Sequence, residues 1–311
     1  MIFESNGITR RTFILNACAL AAAAVVAPRE LLGQARTPIV RRIPASGEEL
    51  PVIGMGTWQT FDVGAGETER SRLAEVLQIF FDGGGRLVDS SPMYGRAEEV
   101  VGDLLAATGR QKTVFAATKV WTDGREKGIA QMNASMRRMG VEVMDLMQIH
   151  NLRDWRSHLP VLREWKQQGR FRYIGMTTSH GRFHEELERI LQTESLDFVQ
   201  FTYNLEDWAA EARLLPLAAE RGVATLINRP FQGGGLFAKV KQVPLPAWSA
   251  EIGCSTWGQY FLKFIIGHPA VTCVIPATAK PHHMQDNMEA AFGPVPDAAM
   301  RRRMQAHVAA L

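Results

Sequence analysis

RLVD (residues 86–89), SSPMYG (90–95) and RAEEVVG (96–102) follow one another without a break and hold a strand, a loop and the start of a helix. The apolar pair Leu87-Val88 runs into a carboxylate at Asp89, a turn bounded by Pro92 and Gly95 carries Tyr94, and apolar residues at helical spacing follow from Ala97. This β-then-α unit recurs along the chain. Short β-rich runs at 52–55, 86–89, 114–118, 146–149, 173–176, 198–200, 224–227 and 272–275 read as strands. Between and after them, 68–82, 97–107, 126–139, 159–168, 183–193, 211–221, 255–266 and 281–291 have the apolar spacing of helices. Eight such units predict an α/β fold, a parallel sheet closed into a (β/α)8 TIM barrel, with an open doubly wound sheet as the alternative.

Two features fall outside the repeat. The runs 40–43 and 49–52, joined around Pro44-Ala45-Ser46-Gly47, read as an N-terminal hairpin that plugs the bottom of the barrel. An extra C-terminal helix over 297–309 is expected outside it. The longest irregular piece, 228–254, is rich in Gly and Pro and is expected to lie over the functional site.

Residues 1–35 read differently. Arg10-Arg11 precede a mildly apolar run, 14–27, and small residues at Gly33 and Ala35, the order of a twin-arginine signal peptide cleaved after Ala35. The run is short of the roughly 20 apolar residues of a spanning helix, which disfavours a retained anchor. Cys18 follows Leu15-Asn16-Ala17 too near the arginines to serve as a lipoprotein cysteine. Export to the periplasm through the twin-arginine machinery, leaving one domain over 36–311, is the expectation.

The chain has 311 residues, 46% of them apolar and 22% charged, the balance of an ordinary globular protein. Its net charge of +3 gives no basis for a nucleic-acid surface, and Arg301-Arg302-Arg303 reads as a solvated helix face. Cys254 and Cys273 are expected to be buried free thiols.

Barrel chemistry gathers at the carboxyl ends of the strands. Asp89 ends the second predicted strand, Lys119 follows the third in FAATKVW, and His150 ends the fourth in DLMQIHN, with Tyr94 in the loop after Asp89. Together they suit reduction of a carbonyl: charge develops on the oxygen as hydride reaches the carbon, and a neutral acid must deliver a proton there. Tyr94 is the candidate acid, Lys119 the charge that eases release of its proton, and Asp89 the group that orients the lysine. His150 either donates a hydrogen bond to the substrate oxygen or relays the proton.

These residues also carry a resemblance. The segment from Asp89 to Tyr94-Gly95, of the form D-x-x-x-x-Y-G, is followed by TKVW and DLMQIH, with MGTW before them and PFQGGGLF and IPATAKPHHMQDN after. In sequence and order these are similar to motifs of the aldo/keto reductase superfamily. The resemblance extends from about Leu50 to Ala291. It implies a barrel that binds NADP(H), in preference to NAD(H), across its mouth and reduces aldehydes or ketones. Catalytic roles would fall on Asp89, Tyr94, Lys119 and His150. Cofactor contacts would fall on Gly56 and Thr57 at the floor, on Thr177, Thr178 and Gln200 around the nicotinamide, on Asn228, Pro230 and Gly233, and on Thr278, Lys280, His283 and Asn287 at the adenosine end.

The chain departs from the family at several of these positions. Thr177-Thr178 replace a frequent Ser-Asn, and Asn228 replaces a frequent stacking aromatic. At the adenosine end Ala277 and His283 stand where basic residues are frequent, removing the cationic forks that suit a 2′-phosphate. Lys280 beside a helix N-terminus still makes a reasonable phosphate site. Trp58, Trp121 and Trp155 follow strands and are candidates for an apolar wall around a small carbonyl substrate.

A dinucleotide-binding sensor with little turnover is the alternative function. A hydrolase is disfavoured because no G-x-S-x-G turn is present and His282-His283 are adjacent. The sequence leaves the oligomeric state open, a monomer being plausible, and no metal is expected.

Overall fold

Eight parallel strands run in chain order around a barrel: β3 (Met55–Gly56), β4 (Leu87–Asp89), β5 (Phe115–Val120), β6 (Met144–Ile149), β7 (Phe171–Thr177), β8 (Phe198–Thr202), β9 (Ala224–Asn228) and β10 (Cys273–Val274). The first and last strands close the ring through backbone bonds, Val274 N to Val52 O at 2.9 Å, Gly54 N to Val274 O at 2.8 Å and Gly56 N to Pro276 O at 3.0 Å. Gly56 allows this closure, since a Cβ there would come within 3.0 Å of the Ile275 carbonyl oxygen. Open-sheet edges are therefore absent from the eight strands.

This computed structural model describes residues 36–311, and residues 38–311 form one compact unit. The arginine pair, the apolar run, Cys18 and the expected cleavage point lie outside the described residues. Among the described residues no helix is long and apolar enough to cross a membrane.

The strand period of two explains where each side chain points. Leu87, Phe115, Ala117, Leu146, Tyr173, Phe198, Ala224, Leu226 and Cys273 fill the barrel interior. The intervening residues Val88, Ala116, Val120, Met147, Ile149, Ile174, Met176, Val199 and Ile227 pack into the layer beneath the helices. Both faces are covered, so the strands read as continuous apolar runs rather than alternating ones. Continuing the inner parity towards the carboxyl ends selects Asp89, Lys119, Gln148, Thr177, Gln200 and Asn228. The polar residues are the top layer of the same stack.

The hairpin of β1 (Val40–Arg42) and β2 (Glu49–Pro51) closes the opposite end. Ile43 and Leu50 join the interior cluster, and the Tyr173 phenol hydrogen-bonds Ser46 at 2.7 Å and Glu48 at 2.9 Å. Arg86 and Arg172, next to the starts of β4 and β7, pair with Glu48 as well.

Helices α1 (Glu67–Asp82), α2 (Ala97–Thr108), α3 (Arg125–Met139), α4 (Trp155–Gln167), α5 (His184–Thr193), α6 (Leu214–Glu220), α7 (Gly235–Lys239), α8 (Trp257–Ile266), α9 (Pro281–Glu289) and α10 (Ala298–Ala309) accompany the strands. In α1, Leu73, Val76, Leu77, Phe80 and Phe81 give one buried stripe. Three sequence expectations are corrected. Helix α4 begins at Trp155, about one turn before expected, and carries Pro160 inside it. The 228–254 piece contains α7 and the 3₁₀ turns Gln232–Gly234 and Ala247–Ile252 rather than an unbroken loop. Arg301 is not solvated: it is buried, stacks 4.9 Å from the Phe264 ring centroid, bonds the Phe264 carbonyl at 3.1 Å and pairs with Glu211 at 3.0 Å. Cys254 and Cys273 are buried free thiols, and burial pushes the Cys254 pKa up to about 12.

Gly102 marks the tightest helix contact. An added Cβ would lie 2.0 Å from the Arg138 carbonyl oxygen at the end of α3. Alanine is favoured over glycine in a helix by up to about 1 kcal/mol, whereas overpacking costs about 1–3 kcal/mol. With backbone as the obstacle the clash wins. Gly102→Ala is expected to lower the urea midpoint at unchanged m-value; an unchanged or higher midpoint would refute this.

Candidate active site

Asp89 and Lys119 meet because β4 and β5 are hydrogen-bonded neighbours whose inner positions share one face. Lys119 Nζ donates to Asp89 Oδ2 at 2.5 Å and to the Ser90 carbonyl at 2.7 Å, and the two side chains are 0% and 3% exposed. The second carboxylate oxygen accepts from Gln148 Nε2 at 2.9 Å and Gln200 Nε2 at 3.2 Å. Gln200 also donates to Gln148 Oε1 at 3.2 Å. A buried ion pair is tolerable only when its remaining lone pairs are occupied, and the glutamines from β6 and β8 do that here.

Tyr94 packs above this pair. The lysine ammonium lies 5.2 Å from its ring centroid, and the His150 ring is 5.8 Å away in edge-to-face contact. Burial alone would lower the Lys119 pKa, but Asp89 and Tyr94 outweigh it and the net shift is upward. For Tyr94, burial raises the pKa and outweighs the nearby ammonium, so the net shift is also upward. The expectation that Lys119 eases proton release holds for its own electrostatic effect, while the low-dielectric surroundings keep the phenol protonated. An acid stored in neutral form fits proton donation.

His150, in the 3₁₀ turn His150–Leu152 after β6, is buried, with its Nδ1 3.1 Å from Ser91 Oγ and Trp121 6.4 Å from its ring. Burial, assisted by the Lys119 charge, pushes its pKa down to about 2. The ring is neutral at ordinary pH, which favours hydrogen-bond donation over proton relay. Unfolding returns it towards 6.5. The unfolded chain therefore binds the extra proton between about pH 6.5 and pH 2, and stability drops as pH falls through that window. His150→Gln is expected to lose less stability than wild type between about pH 7 and pH 5; equal losses in urea denaturation would contradict it.

Around the pair, Thr57 Oγ1 donates towards the Asp89 carbonyl at 3.0 Å and lies 2.9 Å from Ser90 Oγ, and Gly56 is the register partner of Asp89 on β3. Asn228 Nδ2 donates to the Thr178 carbonyl at 2.9 Å and its Oδ1 accepts from Thr202 at 2.7 Å. It ties together the ends of β7, β8 and β9. The Thr177 hydroxyl accepts the Asn151 N–H at 3.0 Å. Thr178 Oγ1, beside Gln200 and Asn228, is buried without a partner. An orphaned buried hydroxyl of this kind fits an amide-bearing ligand such as a nicotinamide.

The other predicted positions are distributed along the mouth. Pro230 and Gly233 are in the turn after β9, where the Arg229 guanidinium lies 3.4 Å from where a Gly233 Cβ would be. Thr278 Oγ1 accepts the Lys280 N–H at 3.1 Å at the start of α9, so its hydroxyl serves the helix start. Asn287 is buried on α9, whereas Lys280 and His283 are exposed. Burial and the neighbouring His282 and Lys280 lower the His283 pKa. Trp121 reaches His150, and Trp58 is 41% exposed in the loop after β3. Trp155 instead bonds Glu186 of α5 at 3.3 Å and packs on the outer helical layer. Among the described residues no group of three His, Cys, Asp or Glu side chains could hold a metal.

Sequence reasoning missed Gln148, Ser90 and Ser91. Gln148 was findable, since it is the polar residue two before His150 in an otherwise apolar run and so shares its face.

Residues 52–307 match the family model for the Aldo/keto reductase family. The chain is 26% identical to Aldo-keto reductase YhdN of Bacillus subtilis over 219 residues, 64% of each chain. It is 28% identical to Methylglyoxal reductase YeaE of Escherichia coli over 255 residues, 79% of this chain and 88% of that one. An aldo-keto reductase from Klebsiella pneumoniae, solved in complex with NADPH, superposes with a TM-score of 0.71 at 22% identity, covering 88% of this chain and 95% of the other. With a family match over most of its length and the Asp89, Tyr94, Lys119 and His150 constellation at the mouth of a closed eight-stranded barrel, the chain belongs to the aldo/keto reductase family.

Proposed function

We propose that the protein reduces aldehydes or ketones with a nicotinamide dinucleotide, NADP(H) in preference to NAD(H). The observation that carries the reading is the buried Asp89–Lys119 ion pair with the Tyr94 ring 5.2 Å from the ammonium and the His150 ring 5.8 Å from that of Tyr94. The reduced dinucleotide, when bound, supplies the hydride. Tyr94 delivers its phenolic proton to the carbonyl oxygen, and Lys119 stabilises the phenolate left behind. His150 holds the same oxygen by hydrogen bonding. Thr178, Gln200 and Asn228 are suited to the nicotinamide, and Lys280 with the start of α9 to a phosphate. Trp121 supplies an apolar wall next to His150.

The test is oxidation of NADPH and of NADH by purified protein with a panel of small and aromatic aldehydes. Turnover with lower KM for NADPH supports the reading in full. Tight dinucleotide binding without turnover on any carbonyl would instead favour a sensor. We also propose export by the twin-arginine route, from Arg10-Arg11 and the apolar run that follows. Replacing both arginines with lysine should retain the protein in the cytoplasm; an unchanged distribution would refute it.

A further inference from the structure

We propose that Ser91 is a positioning residue that fixes the tautomer of His150, so that Nε2 carries the ring proton and presents it to the substrate oxygen. The inference rests on the reductase reading for its catalytic consequence. Ser91 occupies one of the unspecified positions between Asp89 and Tyr94, and neither the family motif nor the strand pattern gives it a role.

The available hydrogens and acceptors decide the tautomer. Ser91 Oγ and His150 Nδ1 are 3.1 Å apart, and both residues are buried. A serine hydroxyl has one hydrogen to donate and an oxygen that accepts. The Met93 backbone N–H already points at that oxygen from 3.4 Å. Nδ1 is the acceptor within reach for the Ser91 hydrogen among the described residues. If Nδ1 were protonated, Ser91 Oγ would face two N–H donors and its own hydrogen would be left in a buried space without an acceptor, an arrangement that proteins avoid. With Nδ1 accepting, a neutral ring must carry its proton on Nε2.

The geometry around the pair makes this assignment consequential. Ser91 directly follows Ser90, whose carbonyl accepts from Lys119, and it precedes Tyr94 by one turn, with the Tyr94 N–H bonded to the Ser91 carbonyl at 3.0 Å. One short turn therefore sets the height of the acid and the tautomer of the donor together. The edge-to-face packing of Tyr94 on His150 limits rotation of the imidazole. Removal of the Ser91 hydroxyl leaves the ring in place with neither tautomer enforced.

The test combines a double-mutant cycle with a spectroscopic reading. In Ser91→Ala, kcat for aldehyde reduction is expected to fall about tenfold or more, with the Kd for NADPH unchanged. Ser91→Thr, which keeps a hydroxyl, should recover most of it. In a His150→Ala background the same Ser91→Ala change should cost less than about twofold, because its effect passes through the ring. Nitrogen-15 chemical shifts of the wild-type imidazole should show a protonated Nε2 and an unprotonated Nδ1, with the two forms mixing in Ser91→Ala. A protonated Nδ1 in wild type, or an equal Ser91→Ala penalty with and without His150, would overturn the proposal. Absence of turnover in wild type would refute the reductase reading, while the nitrogen shifts would still decide the tautomer.

Discussion

Tyr94→Phe is expected to lower kcat/KM for carbonyl reduction by about a thousandfold, within the roughly 10²–10⁴ that a positioned general acid contributes. The variant removes the phenolic proton donor together with its hydrogen bond to Lys119 and leaves the ring. The ring of Tyr94 carries the edge-to-face contact with His150 and the packing over Lys119, and phenylalanine keeps that ring. Dinucleotide affinity, measured by quenching of tryptophan fluorescence, should therefore remain within about a factor of two. The same site predicts the pH behaviour: the Tyr94 pKa is raised and that of His150 is depressed to about 2, so neither group changes charge between mildly acidic and mildly alkaline pH. Residual turnover within tenfold of wild type would place the proton donor elsewhere.

Lys119→Met should be the most damaging single change to the fold. It leaves the Asp89 carboxylate buried without its cation, and breaking a buried pair by removing one partner costs about 3–5 kcal/mol. The Gln148 and Gln200 donors partly solvate the carboxylate but carry no charge. Activity should also vanish, since the phenolate of Tyr94 loses its stabilising ammonium. The discriminating variant is Asp89→Asn combined with Lys119→Met. Removal of both charges should restore most of the stability, because the desolvation penalty disappears with the pair, and should restore no activity. Urea denaturation at constant m-value reads the first effect and NADPH oxidation the second. If the double variant were as unstable as Lys119→Met, the pair would not be the source of the loss.

Both predictions depend on residues already visible as letters at the end of an apolar run or in the loop that follows it. Their legibility has a simple origin: a parallel strand covered on both faces must be apolar until it leaves the sheet, so the first polar residue at its carboxyl end stands out. Asp89 stands out in this way, whereas Lys119, one residue before the end of β5, stands out by its charge and His150 by following directly on β6. Gln148 does not, because it lies inside the run and is recognisable only from the two-residue parity that it shares with His150. Ser91 is still less visible, since its importance comes from a 3.1 Å contact with a side chain 59 residues away.

Some side chains took roles that spacing did not indicate. Asn228, read as a weakened cofactor contact, ties three strand ends together. Trp155, read as a substrate wall, packs between helices and bonds Glu186. Arg301, read as solvated, is buried against Phe264 and Glu211. In each case the deciding partner comes from an element remote in sequence.

The sequence by itself therefore determined the alternation of eight strands and helices, the hairpin at the base, the acid, lysine and histidine near the strand ends and the tyrosine in the loop after the first of them. These follow from local periodicity and from the cost of burying polar groups. Tertiary structure alone decided the protonation of that set. Whether Tyr94 stays protonated, whether His150 is charged and which of its nitrogens bears the proton depend on burial and on contacts across strands. Those interactions arise only when the barrel closes and water is excluded.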